Sequence, residues 1–310
     1  MDPTVKQLRY LVAVADQLHF RRAAEACHVT QPALSEQIAQ LEDLLGVRLV
    51  ERSRRRVMMT PVGEEVVRRA RRVLRDLDDL VQTAGRAGQP FSTPLRMGVI
   101  PTIAPYLLPR ILAQVRAESP ELQLLLREEQ TGRVVADLRE GRLDVGLLAL
   151  PIEGDDLEVQ ELYQEDFVLL SPRGRGRQST RRLPVTELAQ RRVLLLEEGH
   201  CLRQQALEVC AMAGARENDD FRASSLGTLV QMVANGIGVT LLPWLALDVE
   251  VRGQSALAVR RFKPPVPSRR VGLIWRRHSA RRDEIRDLGR MIHRHLPAAD
   301  RNGFRPAPAA

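Results

Sequence analysis

The sequence predicts an all-α N-terminal segment with a winged helix-turn-helix, then a long linking helix, then an α/β domain. Three observations predict it. The first sixty residues carry short apolar helical faces broken by a tight turn. Residues 61–84 carry one uninterrupted helical stripe. From Leu95 onward, apolar strands alternate with helical patterns.

A chain of 310 residues suggests two or more domains, and a hydrophobic content of 44% is enough for ordinary packed cores. Three cysteines are too few for a disulfide scaffold, so a reducing, cytoplasmic setting is expected. No apolar run follows Met1, so no signal peptide is expected. No stretch reaches the roughly 20 apolar residues of a membrane span, so no membrane partner is expected. The net charge is +8, and most of the basic residues are arginines. A basic, arginine-rich chain points to an anionic partner such as nucleic acid. A genome rich in G·C would give the same arginine bias, so charge alone decides little.

In the head, Leu8, Leu11, Val12 and Ala15 line one side of a helix over Val5–Gln17, and Ala23, Ala24 and Cys27 sit at helical spacing over 20–27. His28-Val29-Thr30 is the turn. Thr30 suits an N-cap, and Pro32 is tolerated in the first turn that follows. The third helix runs to about Leu44, with Leu34, Ile38, Leu41 and Leu45 inward, and Gly46 ends it. Gln31, Ser35 and Gln37 are then neutral donors and acceptors for base edges or phosphates. Cys27, on an apolar face, reads as core. Two apolar strands around Arg52, Arg54, Arg55 and Arg56 form a wing whose guanidinium groups suit phosphates or a minor groove. An arginine run can equally be a solvated loop; its place beside a helix-turn-helix favours the wing. The long helix to about Ala84 carries Val66, Val67, Ala70, Val73, Leu74, Leu77, Leu80 and Val81. That stripe exceeds what one small domain covers and predicts a dimerisation helix.

The expected divisions are 1–60 for the DNA-binding head, 61–88 for the linker helix and 89–94 for a hinge. An α/β regulatory domain follows over 95–297, then a disordered Pro/Ala/Arg-rich tail over 298–310. Strands are expected at 95–100, 122–126, 145–150, 167–171, 193–196, 239–242 and 271–275. Helices are expected near 103–118, 133–140 and 280–296.

The stretch from Gly199 to Cys210 holds two of the three cysteines. The residues after Cys201 favour helix, and Ala206, Leu207 and Cys210 share a face; Gly214 offers a stop. Cys201 then sits at a helix N-terminus, where the dipole favours a thiolate, with His200 and Arg203 nearby as cations that could lower its pKa. The cysteines are nine residues apart. An intact helix holds them roughly 13 Å apart, and a disulfide needs Cα atoms within about 7 Å, so they could pair only if the helix came apart. A cysteine on an apolar face is also commonly just a small buried hydrophobe.

Phe20, Ala23, Ala24, the run Gln31-Pro32-Ala33-Leu34-Ser35, Leu41-Glu42, Leu45-Gly46, Leu49, Arg52 and Thr60-Pro61 with Gly63 resemble LysR-type transcriptional regulators. Gly199-His200-Cys201-Leu202-Arg203 with Cys210 resembles the peroxide-sensing branch of that family. The resemblance spans roughly residues 4–297. It implies a regulatory domain like periplasmic binding proteins, with two α/β lobes, the chain crossing over near Phe167 and returning near Arg269. It implies a homodimer and a homotetramer built as a dimer of dimers. By position it makes Cys201 the peroxidatic and Cys210 the resolving cysteine of a reversible disulfide, with Thr102, Thr131, His200 and Arg269 around the peroxide. Thr30, Gln31, Pro32, Ser35, Gln37, Arg52, Arg54 and Arg55 become the DNA-binding set. The expected partners are double-stranded promoter DNA and hydrogen peroxide, with RNA polymerase a further candidate. The sequence departs from the pattern at Gln204, where Asp is expected, and at Gly227, where Glu is expected.

Two other functions compete. A LysR regulator could instead bind a small effector between its lobes, with Thr102 and Thr131 as ligands; the cysteine pair and His200 argue against it. A thiol peroxidase using Cys201 would be an enzyme, but it has no need of a helix-turn-helix. No cofactor and no metal are expected: only Cys201 and His200 are local, with no second ligand pair at zinc-finger spacing. The wing carries a prediction. Replacing Arg54 and Arg55 by Ala should weaken binding to every DNA sequence and flatten its dependence on salt. A salt titration showing an unchanged slope would put the wing off the DNA.

Overall fold

The computed structural model describes residues 2–52, 57–85, 91–174, 181–300 and 303–308, in two compact units, Met1–Gly88 and Gln89–Ala310. In the first unit, α1 (Val5–Gln17) opens on a reciprocal cap. Gln7 N–H donates to Thr4 Oγ1 at 3.2 Å, and Thr4 N–H donates to Gln7 Oε1 at 2.9 Å. After α2 (Phe20–Ala26), α3 (Gln31–Leu45) starts under Thr30, whose hydroxyl accepts from Ala33 N–H at 3.4 Å, and ends at left-handed Gly46. Leu11, Val14, Ala23, Leu34, Ile38 and Leu41 form the core. Leu45, expected inward, is 37% exposed: the chain turns out at Gly46, and Leu49 fills the core position instead. Cys27 is half-buried against this core rather than within it.

The wing strands β1 (Val50–Arg52) and β2 (Val57–Met59) pair antiparallel. Buried Glu42 on α3 sets where they begin, accepting from Leu49 N–H at 2.7 Å and Val50 N–H at 3.0 Å. Arg54, Arg55 and Arg56 lie outside the described residues, as does the side chain of Arg52. Then α4 (Pro61–Gly85) begins against Leu49: a Cβ at Gly63 would stand 2.1 Å from the Leu49 carbonyl oxygen, so only glycine fits. Val67 and Ala70 are buried within the unit, while Val73 and Leu80 face solvent.

The second unit opens as a parallel βαβ run: β3 (Leu95–Val99), α5 (Ala104–Glu118), β4 (Leu124–Glu128), α6 (Thr131–Arg139) and β5 (Val145–Leu150). The sixteen-residue β6 (Leu157–Pro172) follows. Beyond it lie β7 (Arg192–Leu196), α7 (Cys201–Ala213), β8 (Arg216–Ala223), α8 (Leu226–Ala234), β9 (Thr240–Pro243), α9 (Leu247–Glu250) and β10 (Leu257–Arg261). The chain then returns through β11 (Ser268–Arg276), α10 (Arg282–Arg294) and β12 (Phe304–Pro306). The path β10-β6-β11-β5-β3-β4 runs through both lobes. Residues of β6 up to Asp166 pair with β11; from Phe167 they pair with β9 and β10. One strand thus belongs to both lobes.

Several expectations change. The sequence showed β6 only over 167–171, because its first half alternates charged and apolar residues on a partly exposed face. It missed β8 and β10, whose polar content hides them, and placed β4 two residues early. Residues 91–94 of the expected hinge pack into the second unit: Phe91 is buried, and Arg281 donates to the carbonyls of Thr93 (2.8 Å) and Pro94 (2.7 Å). In the tail expected to be disordered, β12 pairs with β6 and Phe304 is fully buried. One phenylalanine among Pro, Ala and Arg is a weak signal, and its partners lie far away in sequence. Among the described residues, no helix is long and apolar enough to cross a membrane.

Glu42→Ala should leave the Leu49 and Val50 amides without acceptors, costing about 2–4 kcal/mol for two buried donors. Urea unfolding of the head, followed by its helical signal, measures this.

Candidate functional site

The redox stretch folds as a helix with both cysteines on it. His200 is the N-cap of α7 and Cys201 its first residue, half-buried; Cys210 is 3% exposed, and Gly214 closes the helix in the left-handed region. No disulfide links the three cysteines. The start of α7 is held by Gly199, at φ +93°, where a Cβ would lie 2.3 Å from Gln130 Oε1. Backbone conformation and space both demand glycine there. Gln130 in turn donates to the Glu198 carbonyl at 3.5 Å, tying the beginning of α6 to the beginning of α7.

Arg269, on β11, is the anchored cation of the site. It is 2% exposed and pairs with fully buried Glu165 on β6, with its Nη2 2.8 Å and its Nε 2.9 Å from Oε1. The same guanidinium donates to Thr102 Oγ1 at 2.9 Å and to the Thr102 carbonyl at 2.8 Å. Burial works against the charge of Arg269, but Glu165, Tyr163 and Cys201 outweigh it and raise its pKa above the ordinary arginine value. The Cys201 sulfur is thus within electrostatic reach of Arg269. The other oxygen of Glu165 accepts from Leu245 N–H at 2.9 Å. Thr131, first residue of α6, has a buried Oγ1 with no hydrogen-bond partner among the described residues; so does Gln205 Oε1, one turn below Cys201.

Thr102 and Arg269 are therefore brought together, with Glu165 behind them and Cys201 within their field. The sequence offered no sign of Glu165, since a lone carboxylate in a strand shows nothing until its partner, 104 residues away, is placed. In the sequence Gln205 is one of the helix-favouring residues after Cys201 and carries no other signal. His200 is different from what was expected. Its Nε2 is 3.9 Å from Glu197 Oε1, and burial lowers its pKa below the ordinary 6.5, with Glu197 pulling it partly back. Burial thus works against a positive charge on the imidazole beside the thiol. Arg203 Nη1 donates to the Leu196 carbonyl at 3.3 Å. Arg269 is the buried cation whose field includes Cys201. Gln204 is exposed on α7. At Gly227, a Cβ would come within 3.3 Å of Glu250 Oε2, and Glu250 accepts from Tyr106 at 2.8 Å. The missing side chain leaves room for that carboxylate.

On the head, Thr30, Gln31 and Pro32 are exposed and Ser35 half-buried at the start of α3. Gln31 and Ser35 are one turn apart on one side. Gln37 lies about 200° round the helix from Ser35 and shares no face with it; its amide donates to Gln40 at 2.9 Å. Gln37 is thereby separated from the other predicted DNA contacts.

The description "Bacterial regulatory helix-turn-helix protein, lysR family" matches residues 5–64, and "LysR substrate binding domain" matches residues 88–297. The chain is 46% identical over 292 residues to a probable hydrogen peroxide-inducible genes activator of Mycobacterium avium, covering 94% of each. It superimposes on a full-length OxyR cysteine-to-aspartate variant from Pseudomonas aeruginosa with TM-score 0.79 and 37% identity, covering 98% of each chain. A peroxide-bound cysteine-to-serine mutant of Corynebacterium glutamicum OxyR matches with TM-score 0.63 and 36% identity, over 95% of this chain and 94% of that one.

The buried imidazole makes a pH prediction. Because the folded pKa of His200 lies below its unfolded value, the unfolded chain takes up a proton first as pH falls. The native state therefore loses stability below about 6.5, and His200 contributes nothing to the slope above it. His200→Gln should lose less stability than the wild type between about pH 7 and pH 5, read by urea unfolding at each pH.

Proposed function

The chain belongs to the LysR family of bacterial helix-turn-helix regulators and is a peroxide-sensing regulator of transcription; we propose that Cys201 and Cys210 carry its switch. The observation that carries this reading is the half-buried Cys201 at the first position of α7, in the field of an anchored arginine, with Cys210 buried on the same helix. The Cys201 thiolate attacks one oxygen of hydrogen peroxide. The O–O bond breaks, the sulfur keeps that oxygen as a sulfenic acid, and the other oxygen leaves as hydroxide and takes a proton to become water. Because Thr102 Oγ1 accepts from Arg269, its own proton is directed elsewhere and serves a peroxide oxygen. The unpartnered Thr131 hydroxyl and Gln205 carbonyl supply a further donor and acceptor for the two ends of the peroxide. Arg269 stabilises the negative charge that develops on the departing oxygen.

The Cys210 sulfur then attacks the sulfenic sulfur, the S–S bond forms, and the expelled hydroxide takes the Cys210 proton. Two thiols and one peroxide become a disulfide and two waters. With both sulfurs on one helix, roughly 13 Å apart by rise, α7 must unwind for this step. Leu202, Ala206, Val209 and Cys210 leave their packing, at a cost of several kcal/mol. The oxidised domain thus settles into another local fold, and that change resets the DNA-binding heads. In those heads Thr30, Gln31, Pro32 and Ser35 face promoter DNA, and Arg52, Arg54 and Arg55 of the wing hold phosphates. The exposed Val73 and Leu80 of α4 pair two copies, which demands an operator of two-fold symmetry, and two dimers make the tetramer. RNA polymerase is the partner the activated form recruits.

One equivalent of peroxide should remove two thiols and change the DNA footprint. No thiol loss would return the reading of an effector bound between the lobes. Cys201→Ser should abolish the response and keep reduced-state DNA binding; Cys210→Ser should stop at the sulfenic acid. On oxidation, amides from Leu202 to Ala213 should lose hydrogen-exchange protection while those from Leu95 to Ile100 hardly change. A protected α7 in the presence of the disulfide would overturn the unwinding step.

A further inference from the structure

The segment after α10 carries a role that the peroxide chemistry above leaves unassigned. Strand β12 lies antiparallel on β6 with Phe304 opposite Glu165 and Pro306 opposite Tyr163. It is fastened at both ends: Asp166 N–H donates to the Gly303 carbonyl at 2.7 Å, and Ala307 N–H donates to the Leu162 carbonyl at 2.8 Å. Arg305 pairs with Asp166, and His293 Nε2 lies 2.7 Å from the Ala307 carbonyl. The Phe304 ring is fully buried, 4.9 Å from the Tyr163 ring centroid and 5.9 Å from that of Trp244. Gly303 lets the backbone come this close, since a Cβ there would stand 2.2 Å from Trp244 Cδ1.

Both residues that Phe304 touches lead to one carboxylate. Tyr163 is two residues before Glu165 on the same strand. Trp244 immediately precedes Leu245, whose N–H donates to Glu165 Oε2 at 2.9 Å. Glu165 Oε1 holds Arg269, and Arg269 holds Thr102. A continuous line thus runs from the C-terminal strand to Arg269, whose field includes Cys201.

We propose that β12 is part of the peroxide sensor, with Phe304 a positioning residue that wedges Tyr163 and Trp244 against Glu165 and so keeps Arg269 aimed at the reacting oxygens. The proposal rests on the reading that Cys201 reduces peroxide. Its physical basis is the steep geometric dependence of charge stabilisation: a displacement of about 1 Å in a positioned group can cost on the order of a hundredfold in rate. Removing the Phe304 ring leaves a cavity beside both supports of the carboxylate, into which they can relax. Thiol alkylation has no departing hydroxide and makes no such demand on Arg269.

The test uses the full chain, reduced, as wild type, Phe304→Ala and Phe304→Leu. Two rates are measured on Cys201: oxidation by hydrogen peroxide, and alkylation by iodoacetamide under alkaline conditions where the thiol is ionised in every variant. Phe304→Ala should lower the peroxide rate about tenfold or more and leave the alkylation rate within about twofold, while Phe304→Leu recovers most of the loss. Gly303→Ala, which drives a methyl against Trp244, should repeat the selective loss and serves if Phe304→Ala does not fold. An unchanged peroxide rate, or equal loss in both reactions, would overturn the role of β12. If wild-type Cys201 itself reacts with peroxide no faster than free cysteine, the sensor reading fails and takes this proposal with it.

Discussion

The Arg269–Glu165 ion pair, enclosed on every side, is the constraint around which the regulatory unit is arranged. Bringing two such charges out of water costs several kcal/mol per ion, and their attraction offsets this only when the remaining donors and acceptors are engaged. Here they are. Arg269 reaches Glu165 and both oxygens of Thr102, and Glu165 takes a backbone N–H from Leu245 as well. Those partners lie on β6, on β11, in the turn before α5 and in the turn after β9. Four separated parts of the chain must therefore be in place for the pair to be tolerable. A pair of this kind contributes little net stability, yet removing either member leaves a buried charge alone, a loss of about 3–5 kcal/mol. It acts chiefly as a device for holding geometry.

Helix α7 sets the opposite kind of demand. Its packing, with Leu202, Val209 and Cys210 buried, favours the reduced arrangement and keeps the two sulfurs apart. Disulfide chemistry needs them together. Under the Cys201–Cys210 switch proposed above these conditions cannot hold at once, and the helix then makes the domain two-state: a stable reduced fold, and an oxidised one in which a covalent bond replaces the lost contacts. Gly199 and Gln130 locate the beginning of the helix and Gly214 its end. The β3–β5 layer, with Met97, Val99, Leu147 and Leu148 buried, lies outside that helix.

The neutral state of His200 shows how position in sequence misleads about charge. Adjacent to Cys201, it reads as an activating cation, but burial depresses its pKa and its nearest charged neighbour is Glu197. Arg203, two residues on, donates to the Leu196 carbonyl. The buried cation whose field includes Cys201 comes from β11, far along the chain. Gln37 is a smaller case of the same kind. It is in the expected helix, yet the 3.6-residue turn carries it away from Gln31 and Ser35.

What the sequence determined by itself is local and periodic. The cap at Thr30, the stop at Gly46, the helical start at Cys201 and the stop at Gly214 all follow from short-range chemistry, and the structure has them. The alternation of strands and helices from Leu95 was legible for the same reason, because each element carries its own period. The first half of β6, strands β8 and β10, and the buried tail were not. Their stability comes from partners distant in sequence, and no period or cap announces a strand that is half polar or a single phenylalanine seated between Tyr163 and Trp244. Glu165 was hidden in the same way: a carboxylate becomes a functional group only when folding removes its water and gives it a guanidinium 104 residues along. Local propensity thus decided where helices begin and end. Desolvation and long-range pairing, which exist only in the folded chain, decided that Arg269 meets Glu165 and Thr102.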